Sequence, residues 1–139
     1  MTKQQLNEKA LADHLEFPID GLVDGTTAAY AALMKEFVLY QLRMKGLYEQ
    51  VADQFTRSVF VQEYLTMRLE GPRQSGMSTA ARILAKFFPW DAILTTHEMP
   101  AQELIAGKIM IYDCCEPKWA FPAEGNPHAI IILGTPKIP

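Results

Sequence analysis

Nine consecutive residues, Gly71-Pro72-Arg73-Gln74-Ser75-Gly76-Met77-Ser78-Thr79, carry the most readable chemistry in this sequence. Two glycines flank four residues, and two hydroxyls follow the second glycine. A loop with glycine at both ends can turn its backbone N–H groups inward as a nest for an anion. A helix starting near Ser78 adds free N–H groups and the positive end of its dipole. The chemistry predicted for this stretch is phosphate binding. A second candidate is Asp113, which closes the apolar run Ile109-Met110-Ile111-Tyr112.

The elements that must hold these residues fall into two regimes. Before residue 60 the pattern is helical, with a polar helix over 3–16 carrying Leu6, Leu11 and Leu15. Turn residues follow it at 17–21 and 24–25. Thr26 or Thr27 is placed to cap a second helix with Tyr30, Leu33, Phe37, Tyr40 and Met44 at helical spacing. Gly46 is expected to break that helix. A third is predicted over 47–58, with Leu47, Val51 and Phe55 on one face.

After residue 60, strands alternate with helices. Strands are predicted over 64–69, 92–96, 108–112 and 129–133, with helices over 78–88 and 101–106. The last two strands lack polar alternation, as in strands buried on both faces. The expected fold class is α/β: a small parallel sheet flanked by helices and preceded by an all-helical N-terminal segment. The domains predicted are 1–60, helical, and 61–139, the α/β core. About four strands leave an edge to be covered by helices, a second copy or a partner.

Within that frame, the loop resembles the Walker A sequence of P-loop NTPases, Gly-x-x-x-x-Gly-Lys-Ser/Thr, at every defined position except the lysine, where Met77 stands. The flavour is that of viral packaging and helicase-like ATPases, which points to a phage or bacterial source. Ile109 to Asp113 is similar to Walker B. The resemblance implies ATP or a related nucleotide cradled by residues 71–79. It implies Mg²⁺ held by Ser78 and Asp113, with Thr135 as a sensor residue. Two departures imply slow or absent turnover. The lysine that clamps the β- and γ-phosphates is missing. Cys114 follows Asp113 where many ATPases carry a catalytic Glu, and the nearest carboxylate is Glu116. The alternative is a regulatory protein that keeps the fold and acts through a protein partner or a homo-oligomer.

Other polar residues carry weaker expectations. Arg73 could supply charge to the loop, whereas Arg82 and Lys86 read as a solvated helix face. His97-Glu98 follows the second strand on the side where parallel sheets bind ligands. Gln50, Gln54 and Gln62 precede the loop, where related ATPases read adenine with a glutamine. His14 and His128 lack partners at metal-ligand spacing, so no zinc site is expected. Adjacent Cys114 and Cys115 read as reduced and structural. The Tyr30–Phe37–Met44 stripe reads as core.

Composition sets the outer limits. The chain has 139 residues, 49% hydrophobic and 21% charged, with a formal net charge of −3. That length and composition suit a globular domain with a real core. Residues 1–60 hold 6 basic and 8 acidic side chains, and residues 61–139 hold 7 and 8. Neither part is a basic arm, so contact with nucleic acid is expected to be indirect at most. No apolar run reaches the roughly 18 residues of a spanning helix, and the N-terminus is too polar for a signal peptide, so a cytoplasmic protein without a membrane anchor is expected.

Overall fold

The computed structural model describes residues 25–51, 54–71, 76–100 and 102–134. The expected helix over 3–16, His14, the loop positions Pro72, Arg73, Gln74 and Ser75, and Thr135 lie outside them. The elements are α1 (Gly25–Val51), α2 (Arg57–Tyr64), β1 (Thr66–Glu70), α3 (Met77–Phe87), β2 (Ala92–Thr96), β3 (Ile109–Asp113) and β4 (Ala129–Gly134). The fold is α/β, and the four strands are all parallel in the order β1-β4-β3-β2.

The pleat sorts the core into two halves. On β3 and β4 the odd positions Ile109, Ile111, Ala129, Ile131 and Leu133 pack under α1 and α3. The even positions Met110, Tyr112, Ile130 and Ile132 pack on the opposite face against Phe60, Val61, Leu65 and Leu104. Both central strands are therefore buried on both faces, which is why their sequences show no polar alternation. Fully burying one Ile or Leu contributes about 1.5–3 kcal/mol.

Connection handedness accounts for the layers. The β1–α3–β2 crossover runs across the whole sheet, and the β2–β3 and β3–β4 connections step back the other way. Right-handed crossovers travelling in opposite directions must leave on opposite faces. Accordingly α3 lies with α1 on one face, while Leu104, Ile105, Trp119 and Phe121 cover the other. Arg57 fastens the long β3–β4 connection: its Nε donates to Asn126 Oδ1 at 2.9 Å, and its Nη2 to the carbonyls of Gly125 and Pro122.

Four expectations differ from the observed elements. Gly46 does not break the helix, and α1 continues for 27 residues to Val51. A lone glycine costs only about 1 kcal/mol against alanine, less than a packed helix gains from its buried stripe. Thr26 and Thr27 lie inside α1 rather than capping it. The helix expected over 47–58 does not run its length. Thr56 instead caps a separate helix, α2, by accepting the Val59 N–H at 3.3 Å. Residues 102–106 are not helical. Glu103 forms a parallel bridge with Lys118, and Gly107 turns the chain at φ 74°.

Candidate functional site

In an open parallel sheet, ligands bind beyond the carboxyl ends of the strands, where neighbouring connections leave on opposite faces. Here that position lies beside β1, and the glycine loop leaves from it. The Gly71 N–H donates to the Gly134 carbonyl at 3.1 Å, and the Cys114 N–H donates to Leu133 O at 2.8 Å. Strand register aligns Glu70 with Gly134, Leu133 with Asp113, and Asp113 with Thr96. The start of the loop and Asp113 therefore share one edge, separated by β4.

Gly76 ends the loop at φ 99°, the N-cap position of α3, with no capping side chain of its own. A Cβ at Gly76 would lie 2.0 Å from Thr27 Oγ1, so glycine is required both for the turn and for the approach of α1. Thr27 is 2% exposed and belongs to the first turns of α1. The N-terminal ends of α1 and α3 thus meet at this glycine, and each directs the positive end of its dipole to the carboxyl edge. Ser78 is half-buried and Thr79 exposed in the first turn of α3.

Met77, at the position of the missing lysine, is 7% exposed and part of the core shared with Ala31, Met34, Ala80 and Leu84. The α3 stripe 77, 80, 81, 84, 87 has the period of a buried helix face, a signal already present in the sequence. The side chain at this position is core.

Asp113 is the group that stands out. It closes β3, in phase with Ile109 and Ile111, so it belongs to the α1/α3 face of the sheet. It is 7% exposed, and its Oδ1 is sealed from solvent without a hydrogen-bond partner. A buried carboxylate oxygen left unpaired carries the full cost of its desolvation. That orphaned oxygen, next to the half-buried hydroxyl of Ser78 on the same face, fits a hard divalent cation. Among the described residues no cluster of three or more His, Cys, Asp or Glu could form an all-protein cage. Magnesium commonly takes only one or two protein ligands and completes its shell with water and phosphate.

The residues after Asp113 are not poised for base chemistry. Cys114 is exposed and holds a left-handed φ of 60°, uncommon for a non-glycine residue. Burial pushes the Cys115 thiol up, as does the charge of Asp113, and its Sγ donates to Thr95 O at 3.6 Å. Glu116 is engaged by Arg68 in a two-pronged pair at 2.5 and 3.1 Å, more than half exposed on both sides. Hydrogen bonding to Glu116 raises the Arg68 guanidinium further. An exposed pair of this kind is worth about 0–1 kcal/mol.

Of the remaining candidates, Arg82 and Lys86 are exposed, as a solvated face requires. His97 and Glu98 lie in the turn after β2, largely exposed and 4.0 Å apart. Gln50 and Gln54 are exposed, and Gln62 donates to Ser58 Oγ within its own helix. The Tyr30–Phe37–Met44 stripe is only half-buried, a departure from the core role expected for it. A cavity of about 490 Å³ lies at the opposite, amino edge of the sheet, lined in part by Gln41, Tyr48, Phe60, Leu65, Gly107 and His128. Gln41 gave no sequence signal, since it reads as one polar residue on a helix. It is 4% exposed and donates Nε2 to Tyr64 O at 2.8 Å. Burial, then hydrogen bonding with Tyr40, pushes the Tyr48 hydroxyl up to about 12.

Among the described residues, no helix is long and apolar enough to cross a membrane. Compared with protein-family models, curated proteins and solved structures, the chain matches none.

Proposed function

We propose that this chain binds ATP or a related nucleotide with Mg²⁺ at the carboxyl edge of β1, as a reduced P-loop protein with slow or absent hydrolysis. The observation that carries the reading is the unpartnered Oδ1 of Asp113, buried on the same edge and face as the strand–glycine loop–helix unit. Residues 71–79 would cradle phosphate, and Ser78 and Asp113 would hold the metal. Bound Mg²⁺ would neutralise phosphate charge. The chain's own contribution is to orient that charge with two helix N-termini and to seat one carboxylate out of water.

Turnover is weak for two reasons. Met77 brings no ammonium and is spent on the core. Cys114 is no base, and Glu116 is tied to Arg68. Calorimetric titration with ATP, with and without Mg²⁺, tests binding. Mg²⁺-dependent heat is expected, and no binding at millimolar ATP sinks the proposal. The Met77→Lys variant then reports on latent hydrolysis, with urea denaturation run in parallel because a lysine there must leave the core.

A second reading is an interaction protein that keeps the fold without using nucleotide. The observation favouring it is the row of exposed apolar side chains on α1, among them Leu33, Tyr40 and Leu47.

A further inference from the structure

Because α1 continues through Gly46, a pattern that two shorter helices would have divided becomes one uninterrupted stripe. Tyr30, Leu33, Phe37, Tyr40, Met44 and Leu47 alternate in steps of three and four. This is the a/d seam of a coiled coil, with Tyr30, Phe37 and Met44 at a and Leu33, Tyr40 and Leu47 at d. The seam is about 26 Å long at 1.5 Å per residue. It is not the face that holds α1 to the sheet, which is Ala31, Met34, Val38 and Leu42, fully or nearly fully buried. Tyr30 and Phe37 lean on the rim of the core, while Leu33, Tyr40 and Leu47 are 49%, 50% and 54% exposed. Strict 3.5-residue spacing selects another helix as occupant, since only a supercoiled partner needs that period.

The flanks identify that helix. The e positions, Met34 and Gln41, are buried against the chain's own fold. Only the g flank is open, and it carries Glu36 and Arg43, opposite in charge and one heptad apart. In a parallel pair, g residues meet the partner's e residues, which are already occupied. In an antiparallel pair about a two-fold axis, g meets g. Glu36 of each copy then meets Arg43 of the partner subunit, and the pattern completes itself.

We infer that α1 is the interface of an antiparallel homodimer. The two-fold axis passes between the Phe37–Tyr40 layers, so that Phe37 packs on Tyr40 of the partner subunit and Leu33 on Met44 of the partner subunit. This interface does not depend on nucleotide.

Sedimentation velocity on the full chain at 1–100 µM, without nucleotide, tests this about as directly as any measurement. A dimer is expected. Tyr40→Glu and Leu47→Glu should each give monomer with unchanged circular dichroism. Glu36→Arg alone and Arg43→Glu alone set like charges against each other and should each weaken association by roughly tenfold or more. The double variant Glu36→Arg/Arg43→Glu should restore it. A monomeric full chain overturns the proposal, whether the seam is covered by residues 1–24 or by nothing. A dimer indifferent to Tyr40→Glu overturns it as well, and failure of the double swap to restore association overturns the antiparallel arrangement.

Discussion

Replacing Gly76 with alanine tests how tightly α1 closes on the candidate phosphate loop. Two separate costs follow from the geometry. The backbone sits at φ 99°, and holding a Cβ in that left-handed region costs about 1–2 kcal/mol. The new methyl would also lie 2.0 Å from Thr27 Oγ1, with the Thr27 Cβ and Cα at 3.0 and 3.1 Å. Rotating the threonine side chain cannot clear all three atoms, so α1 or the loop must shift. Overpacking of that kind costs about 1–3 kcal/mol. The expected loss is therefore about 3 kcal/mol, a large share of the 5–15 kcal/mol typical of a domain. Urea denaturation followed by far-UV circular dichroism measures it. Thr27→Ala serves as the second arm of a double-mutant cycle. Removing Oγ1 relieves most of the overlap, so Gly76→Ala should cost about 1–2 kcal/mol less in that background, leaving the φ term. A loss below about 1 kcal/mol for Gly76→Ala, or a double variant no better than the sum of the singles, would refute the packing described here.

Two further outcomes follow from buried charge. Asp113→Asn removes an uncompensated carboxylate, so in Mg²⁺-free buffer the variant should gain about 1 kcal/mol in urea denaturation, while thermal protection by Mg²⁺ and ATP disappears. A variant that is less stable without metal, yet still protected by Mg²⁺ and ATP, rules out this role for Asp113. Lys35 is 3% exposed, and burial lowers its pKa, partly opposed by the charge of Glu36. With the folded-state pKa below the unfolded one, the unfolded chain binds more protons as pH rises through that window, so wild-type stability increases there. Lys35→Met should stabilise the protein at neutral pH, and its advantage should shrink towards the ordinary lysine range. An advantage that stays constant from pH 7 to pH 10.5 refutes the desolvation account.

What could be read from the sequence follows from how local each signal is. The four strands were legible to within two residues because long apolar runs bounded by Gly, Pro and Asp leave few alternatives. Ala92–Thr96 matches in full. The continuity of α1 was less legible, since a glycine penalty of about 1 kcal/mol is decided by packing against residues far away in sequence. The α2 helix buries only Phe60 and Val61, too few apolar positions to register as a periodic face. At the site, the strand–loop–helix order was visible in the glycines. The burial of Asp113 was not, because it depends on β2 and β4 running alongside. The position of Met77 on the core face was readable from helix period alone, although its alignment with the missing lysine drew attention elsewhere.

Helix α1 touches the glycine loop near its first turns and carries its exposed seam along the rest of its length. It therefore acts as a stiff rod about 40 Å long, by 1.5 Å per residue, joined to the loop at the Gly76–Thr27 contact. Displacing one end of a rod displaces the other. A ligand that reshapes the loop and a partner that grips the seam must then report to each other with equal strength in both directions, since linkage between two binding events is reciprocal.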